Sequence, residues 1–144
     1  MKPTLITGAT GFIGWHVARH LVEQGVNVRV LARDPKRVHD LDGVEIALGD
    51  LKDPDSLRRA VAGCGVVYHV AADYRLWSKD PEELYRCNVA GTHNLLAASR
   101  EAGIDRFVYT STEAASGCHP AVLAMKPLRW VWTTWPAPTS GRNS

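Results

Sequence analysis

Gly8, Gly11 and Gly14 stand three residues apart in the stretch TGATGFIG, between a short apolar run and a segment of helical periodicity. A phosphate that approaches such a turn needs backbone without side-chain bulk. The free amides and dipole at the following helix N-terminus favour its negative charge. Strand before, helix after and further strand-helix units beyond make this a dinucleotide-binding turn, with Gly8, Thr10, Gly11, Phe12, Ile13 and Gly14 as cofactor contacts; the alternative is a plain tight turn. The second apolar run ends in LARDPKR. Arg33 stands where a carboxylate accepting from ribose hydroxyls is usual, with Lys36 and Arg37 behind it. These cations suit a 2′-phosphate and point to NADP, while Asp34 keeps NAD open as a ribose acceptor. In LGDLKD, Asp50 and Leu51 follow the third run, where an adenine would lie, although Asp50 could equally be a cap or turn residue. His16 and His20 share one helix face at i, i+4, but no glutamate or third ligand in register completes a metal set.

These residues need a frame. Apolar runs at 4–7, 26–31, 44–48, 66–71 and 106–111 predict buried strands, separated by helical segments at 11–24, 54–62 and 82–102. The first helix sets Ile13, Val17, Leu21 and Val22 on one face. The second starts after a capping aspartate, and the third closes at Gly103. Strands without strict alternation, separated by helices, mean a parallel sheet covered on both faces and joined by right-handed crossovers. The expected fold is therefore α/β, a doubly wound Rossmann-type sheet truncated after about five strands.

At 144 residues one domain is the bound. Seventeen basic against fifteen acidic side chains leave a formal charge of +2, with no basic stripe for nucleic acid or a membrane surface. Small-molecule partners are expected, and oligomer formation is left open. Cys64, Cys87 and Cys118 are odd in number and without paired spacing, and neither a secretory leader nor a transmembrane stretch is legible, so a reducing cytoplasm is the expected location.

TGATGFIG, GDLKD, YHVAADY, NVAGTHNLL and RFVYTST, in this order and spacing, resemble the extended short-chain dehydrogenase/reductases, specifically the NAD(P)-dependent epimerase/dehydratase group. HVAADYRLW with DPEELYRCNVAGT looks most like the hopanoid-associated sugar epimerases and their dihydroflavonol reductase relatives. The resemblance covers residues 1–112. It implies that Ala71 and Ala72 flank the nicotinamide ribose, that Asn88 supports the active site from its helix, and that the Thr112 hydroxyl bonds the reacting carbonyl. Each has a packing alternative. His69 is expected to pack under the sheet edge, and Trp15 and Trp77 to line a surface or pocket.

The chemistry of that family also needs a tyrosine and a lysine spaced Y-x-x-x-K, the lysine lowering the phenol pKa so that it can exchange a proton with substrate. Here Tyr68, Tyr74, Tyr85 and Tyr109 are followed four places later by Ala72, Ser78, Val89 and Glu113. Residues 113–144 hold no acid after Glu113 and crowd Trp130, Trp132 and Trp135 among prolines. Reread from each third codon base, WTTWPAPTSGRN can encode D-D-M-A-G-P-Y-K-R-S-K, which contains the missing pair. The expectation is a partial NAD(P)-binding domain over 1–112 and a frameshifted or unstructured tail over 113–144. Catalysis is not expected of this chain, which leaves a cofactor-binding module or a nonfunctional product as alternatives.

Overall fold

The computed structural model describes residues 2–75 and 80–111. Thr112, Trp77, Cys118 and the expected tail at 113–144 lie outside the described residues. Five strands, β1 (Thr4–Thr7), β2 (Val28–Ala32), β3 (Glu45–Leu48), β4 (Val66–His69) and β5 (Arg106–Tyr109), form one sheet in the order β3-β2-β1-β4-β5. Every neighbouring pair is parallel, with Thr7 opposite both Leu31 and His69. The chain winds outward from β1 to β3, then crosses to β4 and β5 on the other side. That reversal opens a crevice between the carboxyl ends of β1 and β4, the usual seat of ligands in such sheets.

Strand alternation sorts the core into two layers. Leu5, Leu31 and Val67 face the helices α2 (Pro54–Val61) and α4 (Gly91–Glu101), packing with Leu57 and Leu95. Ile6, Val28 and Val30 face the helix α1 (Phe12–Glu23), around the buried Ala18. Leu5, Ile6, Leu57 and Leu95 are wholly buried. Each such side chain contributes about 1.5–3 kcal/mol by leaving water. Cover on both faces holds for the central strands but not for the edges, because Leu48 of β3 and Tyr109 of β5 are 61% and 53% exposed.

Side-chain caps account for the helix starts. Asp53 accepts from Asp55 N–H at 3.1 Å ahead of Pro54, and Asp80 does the same for Glu82 at 3.1 Å ahead of Pro81, which opens α3 (Pro81–Tyr85). The predicted single helix over 82–102 is one helical run interrupted by a π turn at Arg86–Ala90. There the Thr92 hydroxyl donates to the Asn88 carbonyl at 2.6 Å, a bond that competes with the helical ladder and suits a widened turn.

Strand limits differ from the prediction by up to two residues, with β5 ending at Tyr109 rather than at 111. Val26 N–H still bonds Leu21 O at 3.0 Å in the cap of α1, so β2 begins two residues later. The ladder of β4 stops at His69, beyond which the chain turns toward Gly8. The helix face expected for α1 is also corrected. Val17, Leu21 and Val22 pack toward the core, whereas Ile13 is 57% exposed. With Phe12, Val17 and Tyr68, Ile13 lines an open groove of about 560 Å³ on the β4 side of α1.

Candidate functional site

At the carboxyl end of β1 the three glycines have separate tasks. Gly8 has φ +82°, and a Cβ there would lie 2.6 Å from the Ala71 nitrogen, so the turn presses against the end of β4. A Cβ on Gly14 would lie 2.2 Å from the Gly8 carbonyl oxygen, so α1 seats directly on the turn. Gly11 is different. Its φ is −105°, and a Cβ would make only an ordinary 3.4 Å contact with Gly8 O. Folding does not require glycine at this position, but an anion approaching the backbone does.

Gly11 is also the N-cap of α1 and offers no side-chain acceptor to the first turn, which holds no acidic residue. The donors at the helix start thus have no side-chain cap, and the dipole there favours an anion. Thr10, Phe12 and Ile13 are exposed around them, and Phe12 is 81% exposed.

Arg33 is exposed directly after β2, and its positive charge reaches Lys52, Asp73 and Cys87 across the sheet edge. Asp34 is committed locally, its carboxylate accepting from Lys36 N–H at 3.0 Å to cap a short 3-10 turn over Pro35–Arg37. Asp50 folds into a turn of its own, accepting from Lys52 N–H at 2.9 Å, while its backbone is held by Ser56 Oγ. The turn alternative for Asp50 is therefore present in the fold. Leu51 is 7% exposed and belongs to the α2/α4 core layer, with its carbonyl accepting from Asn94 Nδ2 at 3.0 Å. Its side chain serves packing.

Ala71 lies against Gly8, with its N–H donating to Thr7 Oγ1 at 3.3 Å, and Ala72 is exposed one residue further on. Asn88, in the π turn, uses both ends of its amide on one residue. Nδ2 donates to Asp73 O at 2.8 Å, and Oδ1 accepts from Asp73 N–H at 2.7 Å. It latches the loop that leaves β4. Asp73 in turn takes the Arg75 guanidinium fork, which holds its carboxyl below the usual range. Thr112 lies outside the described residues.

The structure also joins His69, expected to pack under the sheet edge, to Thr7 and Thr92, which sequence reasoning passed over. His69, 1% exposed, bonds Thr7 Oγ1 through Nδ1 at 2.7 Å and Thr92 Oγ1 through Nε2 at 2.9 Å. Tyr109 stacks on its ring at 5.4 Å, and burial lowers its pKa to about 4. Thr7 and Thr92 carry no sequence signal of this role, since their partner lies 62 and 23 residues away. His16 and His20 are exposed on α1, and no group of three His, Cys, Asp or Glu placed for a metal occurs among the described residues. Trp15 donates from Nε1 to His39 O at 3.0 Å, with the Arg19 guanidinium over its ring.

Parallel sheet, switch-point crevice and a glycine turn opening onto an uncapped helix define a Rossmann-type domain. The model of the NAD dependent epimerase/dehydratase family matches residues 4–127, and the chain belongs to that family. A Synechocystis sp. protein provisionally named dihydroflavonol 4-reductase is 51% identical over 114 residues, 78% of this chain and 33% of that protein. Sterol demethylase protein B of Methylococcus capsulatus is 43% identical over 119 residues, 81% of this chain and 36% of its own length. Among solved structures, the Thermus thermophilus UDP-glucose 4-epimerase complex with NAD is similar with a TM-score of 0.67 and 32% identity, covering 76% of this chain and 36% of that one. The chain thus spans about a third of the length of these relatives. No helix among the described residues is long and apolar enough to cross a membrane.

Proposed function

We propose that this chain binds NAD(P) at the carboxyl edge of its sheet, as the cofactor-binding part of an oxidoreductase or epimerase acting on sugar-like or hydroxy-carbonyl substrates. The observation that carries the reading is Gly11, where glycine is unnecessary for packing yet leaves an open approach to the uncapped start of α1. The diphosphate would sit on the amides after Gly11. The adenosine end would lie near Arg33 and Asp50, and the nicotinamide end along Ala71 and Ala72 toward Asn88. When bound, the cofactor supplies hydride transfer. The residues of this chain bind it, orient it and hold the loop after β4 in place.

Arg33 favours NADP in this reading, because it is exposed just after β2, while the carboxylate of Asp34 is turned to its own cap. The match to dihydroflavonol-reductase-like and epimerase relatives supports a carbonyl or carbinol carbon as the reacting centre. A hopanoid-linked sugar is the finer substrate suggestion, on the motifs HVAADYRLW and DPEELYRCNVAGT. Thr112 would bond the substrate oxygen. No tyrosine in the 144 residues has a lysine four places on, so binding without turnover is the proposed behaviour of this chain. Calorimetric titration with NAD and NADP, beside an assay of nucleotide reduction, tests both halves. Saturable binding without reduction supports the reading, and absence of binding by folded protein overturns it.

A further inference from the structure

We propose that His69 is a positioning residue for the dinucleotide, a neutral Nε2–H imidazole that ties the first turn of α4 to the hydroxyl holding Ala71 against Gly8. The inference rests on the dinucleotide reading above for its ligand, and on hydrogen-bond direction for its substance. Thr92 has one hydroxyl proton and donates it to Asn88 O at 2.6 Å. At 2.9 Å from His69 Nε2 it must therefore accept, which places the imidazole proton on Nε2. Nδ1 is then an acceptor and takes the Thr7 hydroxyl proton at 2.7 Å. The Thr7 oxygen is left free to accept from Ala71 N–H at 3.3 Å.

Each hydroxyl donates once and accepts once, so the direction is uniform from Ala71 N–H to the Asn88 carbonyl. The other tautomer fails at both ends. It would aim two N–H groups at Thr7 Oγ1 and leave the Thr7 proton without an acceptor among the described contacts. At Nε2 it would need the proton that Thr92 gives to Asn88. Protonation of the imidazole fails at the Thr7 end for the same reason.

The groups packed on the ring are Thr7 from β1, Thr92 from α4, and Phe107 and Tyr109 from β5. Of these only Tyr109 carries an ionisable side chain, and no carboxylate is bonded to the ring among the described residues. Thr7 immediately precedes Gly8, where an added Cβ would clash with the backbone of Ala71 and Val70. The relay thus sets the spacing between the diphosphate turn and the strand end that carries Ala71 and Ala72. Asn88, at the far end, latches Asp73 with its side chain while its carbonyl terminates the relay. The diphosphate end and the nicotinamide end are held by one hydrogen-bonded chain through a single imidazole.

The test is nitrogen-15 NMR of the labelled 144-residue chain, with NAD affinity measured in parallel. Expected are a protonated Nε2 and an unprotonated Nδ1 at pH 7, and an Ala71 amide resonance that titrates with the same midpoint as the ring. Thr92→Val should leave Nε2–H without its acceptor, shift the Nε2 and Ala71 amide resonances and weaken NAD binding about fivefold, the worth of one neutral hydrogen bond; Thr92→Ser should restore all three. An Nδ1–H ring or an imidazolium in the unaltered protein at pH 7 overturns the relay, as does an Ala71 amide indifferent to the ring's titration. If the unaltered chain binds no NAD, the dinucleotide reading and the positioning role fall together. The tautomer and the Ala71 coupling then still decide the relay itself.

Discussion

Alanine at each of the three glycines should separate folding from binding. At Gly14 the new Cβ would stand 2.2 Å from Gly8 O, with Gly8 C at 2.5 Å, and both neighbours are backbone that cannot rotate away. Relief requires moving α1 off the turn, at an overpacking cost of about 1–3 kcal/mol or more. At Gly8 the left-handed φ of +82° adds about 1–2 kcal/mol to a 2.6 Å contact with Ala71 N. At Gly11 the Cβ makes an ordinary contact at 3.4 Å. Alanine is a poorer N-cap than glycine, but it also restricts the unfolded chain, by about 0.4–1 kcal/mol, so the two effects nearly cancel.

Gly11→Ala should therefore unfold within about 1 kcal/mol of the unaltered protein in urea, whereas Gly8→Ala and Gly14→Ala should each lose about 2 kcal/mol or more. Gly11→Val sets a branched side chain in the anion's path and should lose at least one charge-assisted amide contact. That is about 1.5–3 kcal/mol, or about 10- to 100-fold in NAD(P) affinity by calorimetry. Undiminished binding by Gly11→Val would show that the diphosphate sits elsewhere. A Gly11→Ala chain as unstable as Gly14→Ala would refute the packing argument.

Arg33→Ala should reduce a preference for NADP over NAD by about 1–3 kcal/mol, measured by paired titrations, and equal affinities in the unaltered protein would contradict it. His69 is neutral in the fold, with a pKa of about 4 against about 6.5 unfolded, so its contribution is complete above pH 6.5 and is lost as pH falls toward 4. Fully developed, that loss is about 3 kcal/mol, and His69→Gln should flatten the fall of urea stability between pH 6.5 and 4; an unchanged slope would count against a neutral buried ring. Asn88→Ala should release the loop after β4 and speed hydrogen exchange at Asp73 N–H, with the amides of β1 unaffected. In the coding DNA, a frame containing Y-K-R-S-K should lie beside the one read after Thr112, and restoring it should recover nucleotide-dependent turnover. Its absence from the DNA would remove the frameshift account.

Local chemistry is what the sequence made legible. The glycine spacing, the capping aspartate before Pro54 and the five apolar runs each depend on neighbours within a few residues, and each appears in the fold at or near its expected place. The π turn was not legible, because its residues have ordinary helical character and the widening accompanies Asn88 reaching to Asp73, 15 residues back. Ile13 followed the helical period but stands exposed at the groove beside Tyr68, not against the sheet. The His69 relay was invisible for a related reason. Thr7 and Thr92 are ordinary residues taken alone, and only the register of Thr7 opposite His69, with α4 laid over both, gives them a common partner.

The central claim is that the open glycine turn receives a dinucleotide diphosphate, and titration of the folded 144-residue chain with NAD and NADP by calorimetry tests it most directly. The account predicts saturable binding of one dinucleotide per chain, tighter for NADP, and weakened about 10- to 100-fold by Gly11→Val with the fold intact. A chain that is folded by its amide spectrum, yet binds neither nucleotide, would contradict it.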